Sequence, residues 1–284
     1  MKYLIVSADD LGLSDSINRG IMKSCEAGIT TAVNVLSSGA AFYDAMALLR
    51  VAKLKEISAH LALTETAPVS DPSEVASLVT RDGRFHKGYA GFLLPFLLGK
   101  ISSTHIYIEL KSQVERLKES GLPITSLSSH QHIHMLPGIL DIFIQLAKEY
   151  SIPAIRYLHR DRFAYPYNAN KLFKKIILGY FDKNMIRALN KASVLHTDNF
   201  LGLFDSGNIR EDILMQMLTE LPDGVTELVA HPGFISAEVL DRCVFHRNCE
   251  TDLAALTSRR IKKAIADNGI KLITFSELAK LQEK

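Results

Sequence analysis

The chain has 284 residues, of which 47% are hydrophobic and 23% charged, and its formal net charge is +2. These proportions are typical of a folded globular protein, and they exclude a disordered or collagen-like chain. A nucleic-acid-binding surface would need a more basic chain, so we expect no nucleic-acid partner. Three cysteines do not make a disulfide framework, and no apolar stretch approaches the roughly 20 residues of a membrane span. We therefore expect a cytoplasmic protein.

Seven short segments along the chain have the composition of buried β-strands. Most are apolar at consecutive positions and rich in Val, Ile and Leu, which is typical of strands covered on both faces. They are Tyr3–Ser7, Ala32–Ser37, Ile57–Leu63, Ile124–Ser128, Ala154–Leu158, Glu227–Ala230 and Lys271–Phe275.

Helix-like segments fall between these strands. Ser14 is placed to cap a helix that ends at Ala27, with Gly28 as its stop. The other helical segments are Ile106–Ser120, the segment from Pro137 to Tyr150, and Ser258–Asn268. The alternation of strand and helix predicts parallel pairing in an α/β fold, which we take as one domain over residues 1–284.

Two stretches interrupt this alternation and are expected to be insertions. Residues 66–102 are rich in Gly and Pro, as in a functional lid, and contain the apolar run Phe92–Leu98, in which Pro95 should prevent a regular helix. Residues 164–191 hold six basic residues against one acidic residue, with apolar residues at helical spacing. They predict a basic amphipathic helix that is broken near Gly179.

Titratable side chains stand where the predicted strands end. Asp9 and Asp10 follow the first strand. His60 lies in the third strand, and His231 opens a His-Pro-Gly turn after a later one. Each has an ordinary alternative, because paired Asp residues occur in solvated turns and a single His is commonly a satisfied core residue. In a (β/α) barrel, however, the carboxyl ends of the strands form the rim where active sites lie.

The strongest local signal is the run Ser129–His134, which reads Ser-His-Gln-His-Ile-His. In an extended chain alternate residues point the same way, so His130, His132 and His134 could converge. Imidazoles gain little from clustering by themselves, whereas a divalent cation uses them as ligands. The run therefore predicts a metal or catalytic site, and the alternative is a polar loop that happens to carry histidines.

A second candidate metal motif lies near the C-terminus, where Cys243, His246 and Cys249 form Cys-x-x-His-x-x-Cys. A structural zinc site needs a fourth ligand, and none is close in sequence. We therefore favour buried or idle thiols at these positions. One Asp with two histidines from the strand ends, by contrast, would leave open positions on a divalent cation, as catalytic metal sites require.

Taken together, these motifs resemble the YdjC-like carbohydrate deacetylases. The resemblance rests on four motifs spread along the chain, which are Leu4–Leu13, His60–Thr64, Ser129–Met135 and His231–Gly233. It implies a distorted (β/α) TIM-like barrel with mainly parallel strands and one divalent metal ion, either Zn²⁺ or Mg²⁺. It also implies an amide hydrolase that removes the N-acetyl group from an N-acetylglucosamine-containing substrate.

Carried over position by position, the resemblance gives each candidate site residue a role. Three residues would hold the metal, and these are Asp10, His60 and His130. Asp9 would be the general base and His231 the general acid. Arg156 would orient Asp9. His132 and His134 are the candidates for substrate binding.

Longer segments resemble one branch of the family, the hopanoid-biosynthesis-associated deacetylases. They are Ser73–Val75, Asp82–Phe85, Phe200–Leu203 and Ser206–Gly207. That branch implies a lipid-linked substrate, an N-acetylglucosaminyl hopanoid, reached at a membrane surface through the apolar and basic insertions. The insertions could instead pack on the barrel or on a second subunit of a homo-oligomer. The alternative functions are a deacetylase of soluble chitooligosaccharides and a non-catalytic metal-binding relative, although the presence of both Asp9 and His231 argues against the latter.

Overall fold

The structure is a computed structural model, and it describes residues 1–158, 183–242 and 244–282. Within these ranges eight strands form one sheet, and their pairings are parallel. The strands are β1 (Lys2–Leu11), β2 (Ala32–Val35), β3 (Ile57–Leu61), β4 (Ile124–Ser129), β5 (Ala154–Ile155), β6 (Asn199–Leu201), β7 (Gly224–Ala230) and β8 (Lys271–Leu272). Their order is β5-β4-β3-β2-β1-β7-β6, with β8 also beside β1.

The pairing of the central strand β1 shows how the sheet curls. Along one edge β1 pairs with β7 from Lys2 to Ala8, and along the other it pairs first with β8 and then with β2. At the outer end of the sheet, Leu195 bridges Ala154 of β5, and the chain then continues into β6, which pairs with β7. Residues 195–201 therefore contact both β5 and β7, which lie on opposite sides of the gap in the sheet. The predicted barrel-like α/β fold with mainly parallel strands is confirmed.

The burial of the strands explains their composition. Leu4, Ile5 and Val6 follow one another in β1, and all three are fully buried, so both faces of the strand are covered. Each of the seven predicted strand segments overlaps an observed strand. Among the described residues, the one observed strand that was not predicted is β6, because three residues are too few for their composition to indicate a strand.

Helices alternate with the strands and pack against the sheet. They are α1 (Asp15–Ala27), α2 (Phe42–Val51), α3 (Gly88–Leu97), α4 (Ser103–Leu117), α5 (Ile139–Glu149), α6 (residues 183–192), α7 (Glu211–Thr219), α8 (Ala237–Arg242), α9 (Cys249–Thr257), α10 (Arg259–Asp267) and α11 (Phe275–Gln282). As predicted, the Ser14 side chain caps α1 by accepting a hydrogen bond from the Ile17 N–H, and Gly28 follows the helix. Ser258 caps α10 in the same way.

The first predicted insertion, residues 66–102, is partly folded onto the core, where Leu78 and Phe85 are buried. The run Phe92–Leu98 lies almost entirely in α3, so the prediction that Pro95 prevents a regular helix is wrong. Pro95 stands in the last turn of this ten-residue helix, where the loss of one backbone hydrogen bond is tolerated. No helix in the described part of the chain is both long and apolar enough to cross a membrane.

Most of the second predicted insertion, residues 164–182 with the predicted break, lies outside the described residues. The remainder belongs to α6. In this helix Met185 and Leu189 are buried in the main core, while Lys183 and Arg187 are exposed. The described part is therefore amphipathic, as predicted, and its apolar side packs on the barrel.

Candidate active site

The carboxyl ends of the strands surround a cavity of about 340 Å³. Six of the eight predicted site residues line it, and these are Asp9, Asp10, His60, His130, His132 and His231. The other two, Arg156 and His134, are buried behind the wall of the cavity. The fold thus brings residues from distant parts of the sequence to one place.

Asp10, His60 and His130 each place one potential ligand atom within 4.8 Å of the other two. His130 Nδ1 is 2.9 Å from Asp10 Oδ1, and His60 Nε2 is 3.3 Å from the same oxygen. All three residues are buried, and they are the one such ligand group found among the described residues. Two imidazoles and a carboxylate can bind a divalent cation and leave positions open for water and substrate. The donor set therefore fits a catalytic metal ion.

Neighbouring groups orient these ligands. His60 Nδ1 lies 2.7 Å from Ser128 Oγ, which turns Nε2 toward Asp10. Asp10 has a positive φ of 73° at the end of β1, a conformation that Asp adopts more readily than most residues. Burial lowers the pKa of His130, but the carboxylates of Asp10 and Glu65 outweigh it and raise the pKa to about 10. A cation that binds here must displace this proton, so metal binding is coupled to proton release.

Asp9 lies beside this ligand group and is held by different contacts. Arg156 Nη1 and Nη2 donate to its two carboxylate oxygens at 2.6 and 2.8 Å, and the Asn34 amide also donates to Oδ1. Burial alone would raise the pKa of Asp9, but the charges of Arg156 and His60 hold it well below the usual range. Asp9 is therefore an ionised carboxylate of fixed orientation, with Oδ2 3.8 Å from His60 Nε2.

Arg156 joins Asp9 to a second buried carboxylate. Its Nε and Nη2 donate to Glu227 Oε1 at 2.9 and 2.8 Å, and the Ser7 hydroxyl donates to the same oxygen at 2.7 Å. Buried charges of this kind are tolerated when they are paired and hydrogen-bonded. Arg156 is thus fixed by Glu227 on one side and hydrogen-bonded to Asp9 on the other, as a residue that orients Asp9 would have to be.

His231 faces the other carboxylate oxygen of Asp10, with Nε2 4.0 Å from Oδ2. Its backbone N–H donates to Asp252 Oδ2 at 2.8 Å, and its Nδ1 lies 3.3 Å from Ser206 Oγ. Burial lowers the pKa of His231 to about 4, so the ring is neutral at neutral pH. Negative charge that builds up beside the ring would favour its protonation.

The histidine run does not have the extended conformation that its alternation suggested. Residues 130–135 form 3₁₀ turns, in which Gln131 and His132 have positive φ of 56° and 55°. In these turns only His130 of the run reaches Asp10, while the rings of His132 and His134 lie edge to face with centroids 6.3 Å apart. The three imidazoles of the run, which alternation allowed to converge, therefore do not meet at one point.

The two remaining histidines of the run have different surroundings. His134 is fully buried, with Nδ1 beside Ser129 Oγ and Nε2 3.1 Å from the Arg156 carbonyl oxygen, so it links β4 to the end of β5. His132 lines the cavity, and its buried Nδ1 has no partner among the described residues. Of the two residues predicted to bind substrate, His132 is thus the one placed to do so.

The Cys-x-x-His-x-x-Cys motif is divided in the structure. His246 Nε2 lies 2.9 Å from Asp10 Oδ2 and lines the cavity, whereas Cys249 is fully buried against Gly233. Burial raises the pKa of Cys249 to about 11, as expected for an idle thiol. Cys243 lies outside the described residues. His246 therefore belongs to the candidate active site.

Four residues that complete the site were not assigned to it from the sequence, and these are Asn34, Glu65, Glu227 and His246. Asn34 and Glu227 are buried polar residues inside mostly apolar strands, and this placement was a usable signal, because a buried polar group needs a partner. Glu65 and His246 lie outside the strands, where tertiary contacts alone bring them to the cavity.

The turn that carries His231 packs closely on α1. A Cβ atom at Gly20 would lie 2.3 Å from Cα of Gly233, so a side chain there would push this turn outward. We expect Gly20→Ala to lower the free energy of unfolding by about 1–3 kcal/mol, measured by urea denaturation. Gly91→Ala in α3 is the control, because a Cβ there meets no atom closer than 3.5 Å. An equal loss in both variants would contradict the steric explanation.

Known proteins with similar sequences cover nearly the whole chain. The carbohydrate deacetylase of Thermoanaerobacter pseudethanolicus is 27% identical over 278 residues, which are 98% of this chain and 100% of the relative. That of Brevibacillus brevis is 30% identical over 276 residues, 97% and 99% of the two chains. The chitooligosaccharide deacetylase of Serratia marcescens is 28% identical over 281 residues, 98% and 99% of the two chains. A proposed cellobiose-phosphate cleavage protein from Enterococcus faecalis shares the fold, with a TM-score of 0.78, 24% identity and 98% of each chain covered.

A parallel α/β barrel with an Asp-His-His ligand group and an ion-paired aspartate at its rim has the features of a metal-dependent hydrolase. The sequence model of the YdjC-like protein family matches residues 3–267. The chain belongs to this family. The names of its relatives agree with the predicted enzyme class.

Proposed function

We propose that the chain is a metal-dependent N-deacetylase that hydrolyses the N-acetyl group of an N-acetylglucosamine-containing substrate. One observation carries the proposal. The buried ligand group of Asp10, His60 and His130 lies directly beside Asp9, a second ionised carboxylate that Arg156 holds in place. A metal site with a purely structural role would not need that carboxylate. The carbohydrate deacetylases among the relatives support the reaction class.

Asp10, His60 and His130 would hold one divalent cation. When bound, such a cation polarises the acetyl carbonyl and lowers the pKa of water. The two imidazoles favour Zn²⁺, while the family resemblance keeps Mg²⁺ as the alternative. Equilibrium dialysis of metal-free protein against each cation in turn would distinguish them.

The remaining residues supply the proton transfers. Asp9 accepts a proton from the attacking water, whose oxygen forms a bond to the acetyl carbon. Arg156 keeps Asp9 oriented during this step. His231 is neutral at neutral pH, so it first takes up a proton from solvent as negative charge develops beside it. It then gives this proton to the nitrogen as the carbon–nitrogen bond breaks, because an amide nitrogen leaves poorly as an anion, and Asp9 afterwards returns its own proton to solvent. The products are acetate and a free amino sugar.

We further propose that the substrate is an N-acetylglucosaminyl hopanoid, whose sugar enters the cavity while its lipid stays outside. An exposed apolar surface at the end of α3 supports this choice. Glu65 lines the cavity. Its backbone N–H donates a hydrogen bond to the carbonyl oxygen of His86, two residues before α3 begins. Leu94, Leu97 and Leu98, at the far end of this helix, are each at least 60% exposed. We call these three residues the apolar α3 surface.

The alternative substrate is a soluble chitooligosaccharide, and Phe245 favours it. This ring lines the cavity, is 50% exposed, and offers an aromatic surface to a sugar ring. Mass spectrometry of each substrate after incubation with enzyme and metal compares the two. Faster loss of one acetyl group from the lipid would support the hopanoid, whereas faster loss from chitobiose would contradict it.

We also propose that the apolar α3 surface contacts the cytoplasmic face of a membrane. Replacing its three leucines with Gln should reduce cosedimentation with anionic liposomes, because burial of each leucine contributes roughly 1.5–3 kcal/mol. Hydrolysis of a soluble acetylated sugar should not change. Val51→Gln, at an exposed apolar position on α2, is the control. Equal cosedimentation of all three proteins would contradict the membrane contact.

A further inference from the structure

His246 lies against the ligand group but has no part in the reaction described above. It comes from the 3₁₀ turn Val244–Asn248 and is 2% exposed. Its Nε2 lies 2.9 Å from Asp10 Oδ2. The other oxygen, Oδ1, is the one that His130 and His60 face at 2.9 and 3.3 Å. The two carboxylate oxygens of Asp10 therefore have separate partners.

The second ring nitrogen of His246, Nδ1, is buried and has no hydrogen-bond partner in the described part of the chain. Burying an unpaired ring nitrogen is unfavourable, so a histidine is a poor choice for a position that serves packing alone. The rings of Phe245 and His231 lie against the imidazole, with centroids 5.3 and 5.7 Å away, and restrict its rotation. The hydrogen bond to Asp10 explains why a polar ring is placed here.

We propose that His246 is a positioning residue for Asp10. Its Nε2–H donates to Asp10 Oδ2 and fixes the carboxylate, so that Oδ1 stays on the side of His60 and His130. The inference rests on the metal site of the proposed function. Hydrogen bonds to metal ligands orient them before the cation binds, and their loss typically weakens metal affinity 10–100-fold. His246 itself touches neither the cation nor the substrate in this role.

The test compares His246→Leu with His246→Gln in the purified full chain after removal of metal. Leu fills similar space without a donor, whereas the Gln amide N–H can take the place of Nε2–H. We expect His246→Leu to bind Zn²⁺ about 10–100-fold more weakly than the wild type, measured by competition with a chromophoric chelator. His246→Gln should recover most of this affinity. His105→Leu in α4 removes an imidazole that does not line the cavity, and it should bind Zn²⁺ as the wild type does.

Unchanged Zn²⁺ affinity in His246→Leu, with a wild-type melting curve by circular dichroism, would overturn the inference. The Co²⁺ absorption spectrum separates positioning from direct ligation, because the bands of loaded His246→Gln should match those of the wild type. A changed band pattern would show that His246 is itself a ligand. A wild-type protein that binds no divalent cation would instead refute the metal site of the proposed function, so the two failures are distinguishable.

Discussion

Exchange of His130 for alanine should remove the bound metal and the hydrolytic activity together. His130 supplies one of the three potential ligand atoms, and its Nδ1 lies 2.9 Å from Asp10 Oδ1. The two remaining ligands give a divalent cation too few protein bonds for retention during purification, so we expect its content to fall to background. Metal analysis of the purified protein and an acetate-release assay measure the two effects.

His196→Ala is the matched control for this variant. The ring of His196 is hydrogen-bonded to Thr197 and Asn190 and does not line the cavity. The metal content and the rate of acetate release should therefore both stay at wild-type levels. His130→Ala protein with full metal occupancy would show that His130 is not a ligand. Activity lost while metal is retained would give His130 a part in the proton transfers instead.

Asp9→Asn should keep the metal but slow turnover on the order of 10²–10⁴-fold, the contribution of a positioned general base. The amide has nearly the shape of the carboxylate and can still accept a hydrogen bond from Arg156, but it cannot take a proton from water. Asp9 is not in the ligand group, so the metal content should not change. Steady-state rates at saturating metal and metal analysis of the same samples test both expectations.

Folding must be measured beside activity in this variant, because Asp9→Asn leaves Arg156 with Glu227 as its charged partner. Asp267→Asn removes an exposed carboxylate that pairs with Lys263, and it provides the control for loss of a charge. Near-normal turnover of Asp9→Asn would exclude Asp9 as the base. Loss of metal from a folded Asp9→Asn protein would make Asp9 a ligand.

Local signals in the sequence predicted much of the scaffold. Ser14 and Gly28 marked the ends of α1, and the consecutive apolar residues of β1 marked a strand covered on both faces. The helix α3 was missed because it is apolar around most of its circumference and contains Pro95, so neither periodicity nor propensity favoured it. The strand β6 was missed because three residues form a strand here only by pairing with β7, a distant part of the sheet.

In the candidate site, too, the features that depend on local sequence could be predicted, and those that depend on tertiary contacts could not. Asp10, His60 and His130 could be predicted as neighbours, because the carboxyl ends of parallel strands meet at one rim. The orientations of His132 and His134 could not, because positive φ at two consecutive residues replaced the extended chain that alternation assumes. The contacts of Arg156 with Glu227 and of His246 with Asp10 join distant segments, and no local pattern encodes such pairs.

Release of acetate and of a free amine in equal amounts from an N-acetylglucosamine-containing substrate tests the proposed activity most directly. The comparison is between metal-free protein and the same protein after one divalent cation is restored. We expect no release by the metal-free protein, release after Zn²⁺ or Mg²⁺ is added, and no recovery in His130→Ala. Equal release by metal-free and loaded protein, or none by loaded protein, would contradict a metal-dependent N-deacetylase.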